Sequence, residues 1–145
     1  MTIVDAATHP PVQNWPDAVR AAAQLLVDMG SAASSYPQAC VDVVHEHGPY
    51  IVLTPGLALV HARPETGGVR MGVAVLRLDR PVHFGHETND PVDLLVAFSS
   101  PDHQAHVETL SHLARALGAG LAERLRAAES VGSLRQTVKE VLDAD

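Results

Sequence analysis

With 145 residues, 46% of them hydrophobic and 19% charged, the chain is sized and composed for one globular domain. No apolar run approaches the roughly 20 residues a membrane span requires, the formal charge of −7 argues against the concentrated basic face of a nucleic-acid binder, and the lone Cys40 excludes an internal disulfide. Met1 to Pro11 shows no basic start followed by an apolar stretch, so the expectation is a soluble, cytoplasmic protein, residues 1–145 forming a single domain with a flexible Pro-rich lead over about 1–12.

Apolar residues at Trp15, Val19, Ala22, Leu26 and Met29 recur at helical spacing, and Gly30 stops the run. Ser34, Ser35 and Pro37 open a second helix that ends before Gly48 and Pro49, and the two helices read as a covering layer. From Tyr50 to Val60 the pattern gives two short extended pieces around a Pro55-Gly56 turn, with His61 directly after the second. Arg70–Leu78 and Val92–Phe98 are apolar at nearly every central position, as strands covered on both faces are, so both are expected to be central. Ser100, Pro101 and Asp102 signal a helix start with Ser100 as the expected cap; the helix carries a stripe at Val107, Leu110, Ala114 and Leu117 and stops at Gly118 and Gly120. Ser133 and Gln136 have capping-box spacing for a last helix striped by Leu134, Val138 and Val141. The order gives an α/β fold, a mixed β-sheet sandwiched by helices. The apolar faces of the terminal helices suit internal packing or a second subunit, which leaves a homodimer open.

His61 and Arg63 lie where extended structure gives way to loop, the place α/β proteins use for chemistry. A neutral imidazole is available to attack phosphorus near neutral pH, and the planar guanidinium of Arg63 suits phosphoryl oxygens. His106, about one turn inside the helix after Ser100, shares a face with Leu110 and Leu113 and sits near a helix N-terminus, which favours anions. On pattern alone the favoured readings are a loop histidine beside a surface arginine and a core histidine. His45, His47, His103 and His106 admit a metal-dependent hydrolase as an alternative, but no spacing among them is a recognised ligand motif, so no metal is expected. His83, His86 and His112 read as solvated. Gly-rich phosphate loops and the Gly-x-Ser-x-Gly elbow are missing from the chain.

Gly48-Pro49-Tyr50, Pro55-Gly56-Leu57-Ala58, His61-Ala62-Arg63-Pro64, Arg80-Pro81-Val82, Asn89-Asp90-Pro91-Val92-Asp93 and the Asp102–His106 helix start together resemble the mannitol/fructose-type enzyme IIA domains of the bacterial phosphotransferase system, most closely the ascorbate-like branch. The resemblance implies that His61 takes the phosphoryl group, that His106 is the second active-site histidine, and that Arg63 binds phosphoryl oxygens. It implies the phosphocarrier protein HPr as donor and a cysteine of a separate enzyme IIB, working with a membrane enzyme IIC, as acceptor. Cys40 falls within a helix and so does not resemble the acceptor. No cofactor is implied, the sugar is ascorbate-like or another, and a regulatory module acting through phosphorylation-dependent protein binding is the alternative. Many members carry Pro immediately before the phosphorylated histidine, where this chain has Val60.

Overall fold

The computed structural model describes residues 2–143. Its elements are β1 (Ile3–Thr8), α1 (Trp15–Asp28), α2 (Tyr36–His47), β2 (Val52–Thr54), β3 (Leu57–Val60), β4 (Gly72–Val82), β5 (Val92–Ser99), α3 (His103–Gly118), α4 (Leu121–Ala127) and α5 (Val131–Asp143). One mixed sheet runs in the order β1-β4-β5-β3-β2, with β1 parallel to β4, β4 antiparallel to β5, β3 parallel to β5 and β2 antiparallel to β3. β4 and β5 are central, as their continuous apolar runs require.

Side chains alternate across each strand, so the sheet carries two cores. Ala58 and Val60, Ala74 and Leu76, and Leu95 and Ala97 face α1 and α2, where Ala18, Ala22 and Ala23 let the helix approach closely. Leu57 and Leu59, Val73 and Val75, and Leu94, Val96 and Phe98 face α3, α4 and α5. α1 starts at Asn14, whose side chain accepts the Asp17 N–H, and α2 stops at Gly48, whose φ of 83° suits glycine. Cys40 is buried in α2. Val60, the residue before His61, is buried and pairs with Ala97, so it continues the parallel ladder.

Several expectations are corrected. The N-terminal stretch is not a loose lead throughout, because Ile3–Thr8 pairs with β4 from Gly72 to Arg77 as an edge strand. Asp102 rather than Ser100 caps α3: its carboxylate accepts the Ala105 N–H at 2.8 Å, while Ser100 is buried at the strand end. The α3 stripe is Thr109, Leu113 and Leu117, and Val107 is 45% exposed. α3 does stop at Gly118, as the glycines there suggest, and the short α4, which was not foreseen, follows at once. α5 begins earlier than the Ser133–Gln136 spacing suggests, with Ser130 Oγ accepting the Ser133 N–H.

Candidate functional site

Parallel pairing of β3 with β5 brings both C-terminal ends to one edge of the sheet, so His61, Ser99 and the start of α3 are neighbours although far apart in sequence. The loop after His61 is held against that edge. Gly68 lies so close to β5 that a Cβ there would meet the Ser100 carbonyl oxygen at 2.0 Å, and Gly68 bridges to Ala32. His61, Ala62, Arg63, His106, Tyr50, His47 and Val43 line a shallow pocket of about 150 Å³.

The His61 ring stacks on Phe98 at 5.3 Å between centroids and 19° between planes, and the His106 ring lies 5.5 Å away. Phe98 also touches His106 at 5.1 Å, so one aromatic ring seats both imidazoles. Tyr50 meets His61 edge-on at 6.2 Å. His61 Nδ1 is 2.9 Å from the Leu59 carbonyl oxygen. A carbonyl only accepts, so Nδ1 carries the proton and the neutral ring has its lone pair on Nε2. His106 Nδ1 is buried with no hydrogen-bond partner among the described residues. An unpaired lone pair is the cheaper state for a buried ring nitrogen than an unpaired N–H, which puts the proton of His106 on Nε2. The two rings therefore hold complementary tautomers, one with a free lone pair and one with a free donor.

Burial is the main cause that lowers the His61 pKa, aided by the neighbouring His106 and opposed by the Leu59 hydrogen bond, which favours the protonated ring. His106 is lowered too, first by burial and then by His103, with Glu65 opposing. Both rings are thus biased toward the neutral forms that the tautomers describe. Arg63 is exposed at the pocket rim and joins none of the arginine ion pairs among the described residues. The Cys40 thiol is pushed up to about 12 by burial, which makes it unreactive. Among the described residues no group of three or more His, Cys, Asp and Glu is placed to hold a metal; His103, His45 and His47 do not converge with His106 on one point.

The three candidates from the sequence meet in this one pocket. Of its other walls, His47 was singled out only as a possible metal ligand and Tyr50 only within the Gly48-Pro49-Tyr50 motif, and Val43 and the Phe98 seat were not singled out. Tyr50 and His47 flank the Gly48-Pro49 turn that feeds β2.

A mixed α/β sheet with paired imidazoles at one strand edge defines the class. The chain matches the family described as phosphoenolpyruvate-dependent sugar phosphotransferase system, EIIA 2, over residues 5–141, and it belongs to that family. An ascorbate-specific PTS system EIIA component of Shigella boydii serotype 4 (strain Sb227) is 45% identical over 96 residues, 66% of this chain and 62% of that protein. The chain thus spans less than two thirds of the length of the curated relatives it matches. Among solved structures, the mannitol-specific cryptic phosphotransferase enzyme IIA CmtB of Escherichia coli is 28% identical with a TM-score of 0.77, covering 96% of this chain and 91% of that one. The IIA mannitol crystal structure from Escherichia coli is 25% identical with a TM-score of 0.75, covering 95% of each. No helix among the described residues is long and apolar enough to cross a membrane.

Proposed function

We propose that this chain is a cytoplasmic phosphoryl carrier that accepts a phosphoryl group from HPr on His61 Nε2 and passes it to a cysteine of a separate enzyme IIB, which works with a membrane enzyme IIC. The ascorbate-specific relatives favour an ascorbate-like sugar as the cargo of that system. The single observation that carries the proposal is the bond from His61 Nδ1 to Leu59, which leaves Nε2 as the nucleophilic nitrogen in a pocket shared with His106 and Arg63.

In the first step the Nε2 lone pair attacks phosphorus in line. The P–N bond of the donor's phosphohistidine breaks, and its electron pair returns to the donor ring. His61 then carries the phosphoryl group on Nε2 with Nδ1 still protonated, and the Leu59 carbonyl stabilises that ring cation. A cationic ring is a good leaving group, so the phosphoryl group stays transferable. The Nε2–H of His106 and the Arg63 guanidinium offset charge on the phosphoryl oxygens, which is how phosphoryl transfer is assisted without a covalent change in the supporting groups. In the second step the partner's thiolate attacks phosphorus, the N–P electrons return to Nε2, and neutral His61 is regenerated.

Intact-mass measurement after incubation with phosphoenolpyruvate, enzyme I and HPr tests this. The native chain is expected to gain one phosphoryl group, His61→Ala none, and His106→Ala to gain it more slowly. A native chain that stays unmodified beside charged HPr overturns the proposal.

A further inference from the structure

We infer that Tyr36, the first residue of α2, is a positioning residue for His61 and Arg63 that acts through the main chain of Ala62; the inference rests on the carrier function proposed above. Tyr36 is 1% exposed. Its hydroxyl accepts the Ala62 N–H at 3.1 Å, and its own proton is shared between the carbonyl oxygens of Phe98 at 2.9 Å and Ala62 at 3.2 Å. Ala62 lies beyond the end of β3, is buried, and takes part in no backbone–backbone bond of the loops among the described residues. The Tyr36 hydroxyl is therefore the polar partner of both its main-chain groups.

Ala62 stands between His61 and Arg63, so its backbone torsions set the direction of the imidazole relative to the guanidinium. The third contact, to Phe98, ties the same hydroxyl to the strand whose ring seats both His61 and His106. One oxygen thus fixes the histidine loop to the end of β5. Tyr36 belongs to the core facing α1 and α2, with its Cβ beside Gly67, and packing alone needs no hydroxyl there. Without the oxygen, Ala62 would hold a buried N–H unpaired, and the loop relieves that by shifting. Displacements of about 1 Å at a reacting centre cost roughly a hundredfold in rate.

The test compares Tyr36→Phe with Val41→Ala, a buried change further along the same helix that weakens packing and removes none of the hydrogen bonds to Ala62 and Phe98. In single-turnover transfer from charged HPr, well below both melting temperatures, Tyr36→Phe is expected to be slower by about ten- to a hundredfold. Val41→Ala is expected to transfer at the native rate. Equal slowing of both variants, or a native rate in Tyr36→Phe, overturns the inference. A second readout requires no phosphoryl transfer and so separates failure here from failure of the carrier function. In Tyr36→Phe the ring ¹⁵N resonances of His61 are expected to move and the Ala62 amide to exchange at least about tenfold faster; unchanged values sink the idea. Should Tyr36→Phe not fold, the native amide decides. Exchange at Ala62 as slow as at Ala97 supports the tether, and exchange at the rate of an open loop overturns it.

Discussion

The two ends of the β3–β5 pair are built on opposite principles. At the end where these strands start, most polar groups are paired in a dense network, although Thr54 Oγ1 beside Leu57 is buried without a partner among the described residues. The Asp90 carboxylate accepts the N–H groups of Phe84, Gly85 and His86, His86 Nδ1 accepts those of Thr88 and Asn89, and Arg126 bonds Asp93 through two nitrogens and the Pro55 carbonyl. Gly56 sits so tightly in that arrangement that a Cβ would meet an Arg126 nitrogen at 2.4 Å. At the end where the strands finish, His106 Nδ1 and Ser100 Oγ are buried without a partner among the described residues, and Arg63 faces outward. Saturated polar groups have no capacity left for a ligand and serve rigidity, whereas unmatched donors and lone pairs are held ready for a group that arrives. The chemistry proposed for His61 and His106 lies at the end with the less satisfied side chains.

The largest effect that would sharpen this contrast is at His61. His61→Gln is expected to abolish phosphoryl acceptance in intact-mass assays while the chain still unfolds cooperatively. Arg63→Ala, at the same end, is expected to slow single-turnover transfer by about ten- to a hundredfold and to change stability by less than about 0.5 kcal/mol, as exposed positions do. At the end where the strands start the signs exchange. Asp90→Ala should lower the urea-derived unfolding free energy by about 2 kcal/mol, because it strips several main-chain donors of a charged acceptor, and leave transfer by the folded fraction unchanged. Arg126→Met should cost about 1 kcal/mol, since its ion pair with Asp93 is only half-buried, again with native transfer rates. If Asp90→Ala slows transfer in fully folded protein, the division of labour between the two ends is broken.

The smallest effect is a pH dependence. His61 and His106 both have lowered pKa values in the folded protein, so below about pH 6.5, the ordinary histidine value, the unfolded chain binds more protons than the folded one. Stability therefore rises with pH through that range and is lost as pH falls toward the folded values. Melting temperatures measured from pH 5 to 8 should decline on the acid side, and His61→Gln should flatten the decline. Transfer should persist below pH 6.5 for the same cause, because the nucleophilic neutral ring outlasts an ordinary histidine in acid.

Much of this architecture was legible in the chain. The continuous apolar runs of β4 and β5 can only be strands covered on both faces, and the periodicity of α1 is that of a helix with one buried side. His61, Arg63 and His106 were each visible as chemistry-bearing residues near element ends. β1 was not, because six residues at a sheet edge carry little pattern of their own and acquire their strand from a parallel partner at Gly72–Arg77. Val107 was placed on the wrong face because α3 is rotated by what it packs on, and periodicity gives a stripe without fixing which of two overlapping stripes is inward. Tyr36 carried no signal, since a tyrosine at a helix start says nothing about which carbonyls lie opposite it.

Apart from β1 and α4, local sequence alone determined the element types, most of their boundaries and the residues with suitable chemistry, because hydrophobic period, caps and breakers act within a few residues. Tertiary structure alone decided that β3 and β5 run parallel, that His61 and His106 therefore share the Phe98 ring, that Leu59 selects the tautomer of His61, and that one hydroxyl ties Ala62 to Phe98. These are contacts between residues distant along the chain or set by loop geometry, and their energies depend on distance and burial that no local pattern encodes.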